Sequence, residues 1–301
     1  MNVGTGGTFT YASATVFNLN TSTSDGNITS LNLIGGTFTT GAAIRNNTNA
    51  LSALNTAFAH VTLNDGGTLK ISADIPQLLT NNVGNIRLLL GETGTGGIID
   101  TNGFSTAIDK PIGNVTGQAG KLTKQGAGTL TLSGGTAYTG ATTITGGTLS
   151  LGASEVLPDS SAIVLGGGNL LTGTGQIETA LSLNLTAPSI ITMGGTGGTS
   201  ILTFTSGTAG SSGISATSPL SIYNWNGLPA GGGDDRLIVP AASLNASELA
   251  NISFYSDNGT TLFAGASGAT FAAGGEIVPV PEPTVTGSAL LVLAFSLRRR
   301  R

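Results

Sequence analysis

Cysteine is absent from the 301 residues, histidine occurs once, at His60, and only 9% of the side chains are charged. Each shortage removes a class of chemistry. Without cysteine there is no disulfide framework, no thiol nucleophile and no thiolate metal centre, and one histidine makes no metal-binding cluster. An average soluble domain spends about a quarter of its residues on Asp, Glu, Lys and Arg, so the material for charged active sites is thin. Aromatic residues are scarce too, at 5%. The formal charge of −4 hides an uneven spread, because Arg298, Arg299, Arg300 and Arg301 supply four of the eleven basic residues. Residues 1–297 hold 7 basic side chains against 15 acidic ones. A body of that sign offers no stripe for phosphates, which argues against nucleic acid as a partner.

Glycine is what the chain has in surplus, 48 residues beside 10 prolines. Together they stay below the ~25–30% that marks aperiodic low complexity, and with 39% hydrophobic residues the chain can bury a core. The glycines are also ordered. Small-residue pairs, each followed by a short residue and then an apolar one, end at Gly7, Gly36, Gly67, Gly97, Gly128, Gly147, Gly168 and Gly198. The steps are 29, 31, 30, 31, 19, 21 and 30. After the pairs come short alternating runs, among them Thr8-Phe9-Thr10-Tyr11, Thr37-Phe38-Thr39, Thr68-Leu69-Lys70-Ile71, Thr129-Leu130-Thr131-Leu132 and Thr148-Leu149-Ser150-Leu151. Alternation of β-branched polar with apolar residues predicts strands with one buried face, and Gly and Asn between them permit tight corners. Short strands recurring every 20 or 30 residues predict an all-β solenoid over residues 1–205, in which each coil buries its inner face and bonds to its neighbours. Stacking in register also explains the low charge, because ladders of like charge repel.

Residues 120–152 read GKLTKQGAGTLTLSGGTAYTGATTITGGTLSLG. The segment resembles the autotransporter-associated β-strand repeat at Leu122, Thr123, Lys124, Gly126, Gly128, Thr129, Leu130, Leu132, Gly134, Tyr138, Thr139, Gly140, Thr142, Ile144, Gly147, Thr148, Leu149 and Leu151. The resemblance implies a right-handed parallel β-helix in an exported surface protein, without catalytic activity.

A second motif ends the chain. Pro281-Glu282-Pro283 precedes a mostly apolar stretch, residues 284–297, and then the four arginines. Fourteen helical residues reach about 21 Å, short of the ~30 Å hydrocarbon core, and the arginines would stay on the cytoplasmic side. Residues 279–301 resemble a PEP-CTERM sorting signal. The resemblance implies Pro281, Glu282 and Pro283 as the recognition element for exosortase, a membrane transpeptidase, and Arg298 to Arg301 as the membrane stop charge. It implies export by the secretion machinery, a transient inner-membrane anchor, and release to the cell surface, the outer membrane or the extracellular matrix. An exported chain should open with a basic and then an apolar segment, yet Met1 leads straight into the repeat. We therefore expect coding sequence for a signal peptide upstream in frame. With the sorting tail in place, no autotransporter membrane barrel is expected after it.

Between solenoid and tail, residues 206–278 hold six of the fifteen aromatics: Tyr223, Trp225, Phe254, Tyr255, Phe263 and Phe271. We expect a β-rich capping module that covers the last coil. In it Asn245 and Glu248 form a capping box for a short helix, followed by a strand over residues 252–255. Trp225, with Tyr223, is a candidate for stacking on a sugar ring. Asp234 and Asp235 are a weak Ca²⁺ candidate, more readily neutralised by Arg236. His60, in an apolar run, reads as a structural imidazole. The glycines at 194–198 lack the lysine and the strand–loop–helix setting of a phosphate loop. The Asn-x-Ser/Thr triplets at Asn27, Asn114 and Asn251 arise by chance at this composition. No cofactor is expected. The functional expectation is a non-enzymatic surface or matrix protein engaged in adhesion or exopolysaccharide and biofilm association. The alternative is a β-helix polysaccharide lyase or glycoside hydrolase, which would need clustered acids or a basic residue on one coil face.

Overall fold

The computed structural model describes residues 1–11, 17–19, 29–47, 58–83, 85–194, 198–206, 218–240 and 244–280. The chain winds as a parallel β-helix. Sheet I stacks Asn2–Val3, Thr29–Ile34, Phe58–Asn64, Asn85–Leu90 and Ile112–Asn114. Sheet II stacks Thr8–Tyr11, Thr37–Thr40, Gly67–Ile71, Gly97–Asp100, Leu122–Gln125, Thr142–Ile144, Ala162–Gly166 and Ser182–Ala187. Sheet III begins with Phe17–Leu19, Ile44–Asn47 and Leu79–Val83. The Ile75–Thr106 bridge and the Leu78 N–H to Ala107 O bond carry that face into a longer run. That run comprises Thr106–Ile108, Thr129–Leu132, Thr148–Leu151, Asn169–Leu171, Ser189–Thr192, Leu220–Tyr223, Ile252–Tyr255 and Leu262–Ser267. Sheet IV orders Ile177–Ala180, Ser200–Phe204, Asp235–Ile238, Glu276–Pro279 and Ala269–Phe271.

The predicted alternation sets the core. Leu69 and Ile71 point inward while Thr68 and Lys70 stand outside, and Leu130, Leu132, Leu149 and Leu151 repeat the pattern. Neighbouring coils place like on like, so Phe9 stacks flat on Phe38, 5.5 Å between ring centroids. Such a stack is worth about 0.5–1.5 kcal/mol beyond the area it buries.

Coil length is not constant. On sheet II, Thr8 pairs with Thr37, Thr37 with Thr68 and Gly67 with Gly97, steps of 29, 31 and 30. Gly97 then pairs with Leu122, a step of 25. Leu122 with Thr142, Thr142 with Ile163 and Ile163 with Leu183 settle at 20, 21 and 20. The sequence step of 31 from Gly97 to Gly128 is therefore not a coil. Gly97 opens a sheet II strand, whereas Gly128 stands at the sheet III corner, where its carbonyl accepts from Thr148 N–H. The 30 from Gly168 to Gly198 likewise joins two faces, because Asn169 pairs with Ile190 and Ser200 begins a sheet IV strand. A glycine pair marks a corner, and such pairs lead into strands of sheets II, III and IV alike. Coils shorten where sheet I ends at Ile112–Asn114, with one last bridge from Ile112 to Thr136.

The parallel ladder runs on past residue 205 through Leu220–Tyr223, Asp235–Ile238 and Ile252–Tyr255. It stops where the chain reverses: Leu262–Ser267 pairs antiparallel with Ile252–Tyr255, and Glu276–Pro279 antiparallel with Asp235–Ile238. The expected helix is present at Ala246–Ala250, with Asn245 Oδ1 accepting from Ser247 and Glu248 N–H and Glu248 closing the capping box.

Corner glycines are needed for two reasons at Gly147. Its φ is +61°, and a Cβ there would fall against the carbonyl oxygens of Gly126 and Gly128 and 2.8 Å from Lys124 Nζ. Gly135, with open space around it, is the control. Gly147→Ala is expected to lower stability by about 2 kcal/mol or more, and Gly135→Ala by less than about 0.5 kcal/mol, as read by thermal melting.

Candidate functional site

The repeat segment folds into two short coils whose shared corner is built on Lys124. In Leu122–Gln125, Leu122 and Lys124 share the inward parity, so the lysine enters the core. Its side chain is fully buried. The ammonium donates to the carbonyls of Gln125 at 3.1 Å, Gly126 at 2.8 Å and Gly146 at 2.9 Å. These carbonyls belong to the corners of two successive coils. Burial pulls the amine down to about 8, with Asp100 pushing the other way. One coil earlier the Thr101 hydroxyl does a similar job, donating to Ala127 O at 2.6 Å. The motif spacing of a lysine followed by glycines two and four residues later thus has a physical reading. The lysine supplies donors, and the glycines let the corner backbone come close enough to receive them.

On the opposite side of the short coil, Tyr138 fills the space left by the loss of sheet I. It is fully buried, its hydroxyl 2.6 Å from Thr142 Oγ1, which lies 3.2 Å from Ser161 Oγ. Ser161 in turn donates to Gly140 O at 2.7 Å. The chain 154–157 is held from the next coil by Glu178, whose two carboxylate oxygens each accept a backbone N–H at 2.9 Å, from Val156 and Leu157. Burial pushes Glu178 up to about 8, against the two N–H bonds that favour its charged form.

Simple alternation misses Glu178: it places Ile177 inside, yet Ile177 is 45% exposed and Glu178 is fully buried. The signal available in sequence is a carboxylate set between two small loops. For Lys124 the signal was parity with Leu122.

The residues singled out from sequence lie apart. Trp225 is 2% exposed and packs edge-on against Phe254 at 4.8 Å, so its ring is a core element and offers no open face to a sugar. Tyr223 packs edge-on against Tyr255 at 5.3 Å, and Gly259 lies against its ring. Asp234, in a bend, and Asp235, which opens a sheet IV strand, diverge. Asp234 is exposed and takes Asn226 Nδ2 at 3.1 Å, whereas Asp235 is buried and takes Asn226 N–H at 2.8 Å. Burial pushes Asp235 up to about 6. Arg236 binds neither of them but Glu276, at 3.0 Å. Among the described residues, no three of His, Asp and Glu gather as a metal site. His60 stands on the outer side of sheet I between Ser30 and Arg87, and burial and then Arg87 lower its pKa. Pro281, Glu282, Pro283 and Arg298 to Arg301 lie outside the described residues, among which no helix is long and apolar enough to cross a membrane.

Two outcomes follow from the buried charges. Lys124→Met strands three carbonyls and is expected to cost about 2–3 kcal/mol in urea unfolding. For Glu178 the folded pKa of about 8 stands above the carboxyl's ordinary value of 4.5. The folded state therefore keeps a proton that the unfolded state has lost, and stability falls as pH rises through that window. From about pH 5.5 to 7 the fall attributable to Glu178 is about 1.4 kcal/mol per pH unit, and it halves near pH 8. Unfolding curves at a series of pH values should show it in the parent and lose it in Glu178→Gln.

Residues 122–151 match the family model of the passenger-associated transport repeat. No curated protein and no solved structure matches the chain. The matched residues are the two short coils that meet at the Lys124 corner and include the Tyr138 filling.

Proposed function

We propose that the chain is a non-enzymatic bacterial surface or matrix protein, a passenger-like β-helix that is exported, held briefly at the inner membrane by its C-terminal segment, and trimmed there by exosortase. The observation that carries this reading is the passenger-associated transport repeat at residues 122–151. Three features support it. A cysteine-free chain is indifferent to the redox change between compartments. A solenoid built of coil-to-coil bonds can form progressively, one coil on the last. The buried acids Glu178, Asp235 and Glu276 accept backbone N–H groups of corner loops, which gives them structural work. Once outside, the long neutral faces of the helix serve adhesion or association with exopolysaccharide.

The test is fractionation of tagged protein with and without residues 281–301. Full-length protein is expected at the surface or in the medium, at a mass lowered by removal of the tail. The truncated form is expected to escape membrane retention. Identical localisation and mass for the two forms would sink the sorting proposal.

A further inference from the structure

Short polar side chains make up much of the outer face of sheet III over its middle coils. Register stacks Ala107 on Thr131, Thr131 on Ser150 and Ser150 on Leu171 in one outward column, and Thr129 on Thr148 and Asn169 in the next. The Ile75–Thr106 bridge sets Pro76 beside Ala107 at the head of the first column. Ala107 is the smallest member of its column. Flanked by the proline ring and Thr131, it leaves a concavity of about 300 Å³ lined by Asp74, Pro76, Ser105, Thr106, Ala107 and Thr131.

The lining has a definite chemistry. The Pro76 ring and the Ala107 methyl form an apolar floor. Asp74 stands exposed at the side, its Oδ1 accepting from Ser105 N–H at 2.7 Å, which leaves its other oxygen for a ligand. Ser105 and Thr131 add hydroxyls. Thr106 is turned inward, donating to Ile75 O at 2.7 Å, and takes no part. From Pro76 to Thr131 is two strand spacings, about 10 Å. That is room for one pyranose ring laid flat, with its C–H face on Pro76 and Ala107. Its hydroxyls then donate to Asp74 and exchange bonds with Ser105 and Thr131. Beyond the dip, Thr129, Thr148, Ser150 and Asn169 continue a row of uncharged donors and acceptors one strand spacing apart, along which further sugar units can lie. A carboxylate at the dip, on a body with 15 acidic and 7 basic side chains through residue 297, repels polyanionic glycans.

We propose that this dip is a subsite for one pyranose unit of a neutral extracellular polysaccharide running along the helix axis. It rests on the surface-protein reading above and names its ligand class. Pockets of this kind combine an apolar floor with a few placed polar groups.

The experiment is calorimetric titration of the full chain with maltohexaose, cellohexaose and laminarihexaose as neutral probes and hexagalacturonate as the acidic one. At least one neutral hexasaccharide is expected to bind, and hexagalacturonate at least about tenfold more weakly. Ala107→Leu fills the dip from an outward position and should weaken binding about tenfold or more with unchanged melting temperature. Asp74→Asn keeps the bond to Ser105 N–H and should weaken it about fivefold. Absence of binding to all three neutral probes, equal binding of the galacturonate, or parental affinity in both variants overturns the proposal. If surface localisation succeeds and the titrations fail, the subsite falls alone. Failure of export sinks the surface reading whatever the titrations give.

Discussion

Hydrogen bonding from coil to coil is the constraint on which the rest of the molecule depends. Each strand gives its backbone N–H and C=O groups to the coil before and the coil after, so regular strands leave no polar group unmet. Corners have no such guarantee. There the chain turns, the ladder lapses, and carbonyls and N–H groups end up buried with nothing opposite. The described corners solve this with side chains: Lys124 for the carbonyls of Gln125, Gly126 and Gly146, Glu178 for the N–H groups of Val156 and Leu157, and Glu276 for that of Gly232. In a chain with so few charges, that several are buried at corners is informative. A buried polar or ionisable group is tolerated only where its bonds replace its hydration, and most of these bonds are to backbone, with Arg236 adding a side-chain bond to Glu276.

The matched repeat occupies the stretch where the cross-section narrows. Up to Ile112–Asn114 three faces enclose the core, and coils take about thirty residues; over residues 122–151 two faces and a short turn do so with about twenty. Dropping a face removes the apolar side chains that filled that side. Tyr138 restores the volume with one large residue, and its hydroxyl, which could not be buried alone, is met by Thr142. Gly140 lets the turn lie against the carbonyls of Ala119 and Gly120, at contacts a Cβ would prevent. The residues shared with the repeat family are thus those that a narrow coil requires; the match ends at Leu151, and coils of about twenty residues continue past it until sheet IV opens at Ile177.

How much of this was legible in the sequence follows from what each signal measures. Alternation reports burial of one face of a strand, so Leu69, Ile71, Leu130 and Leu149 were placed correctly without further information. Glycine reports a corner and not which corner. A series that looked like one period therefore mixed three faces, changing frame between Gly97 and Gly128. The capping box at Asn245 was readable because all its partners lie within four residues. Parity with Leu122 marked Lys124 as inward, but its bond to Gly146 and the roles of Glu178 and Trp225 were not readable, since they depend on groups one coil away and coil length was the quantity misread. Trp225 in particular looked like an exposed platform only because nothing local announces Phe254 beneath it.

The same register that makes the solenoid stable limits how it can recognise anything. Stacked strands force neighbouring outward positions to tolerate one another, which favours Thr, Ser and Asn and makes successive coils alike along stretches such as Thr129, Thr148 and Asn169. Such a surface has affinity without position: a ligand bound at one coil is bound as well at the next. Position comes only from a break in the repeat. On sheet III the break is Ala107, a small residue set between Pro76 and Thr131, with Asp74 brought alongside from the preceding coil by its bond to Ser105. Asp74 belongs to the coil where the three-stranded start of sheet III gives way to its longer continuation. The change of coil that alters the core is therefore what gives the outer surface a distinct address.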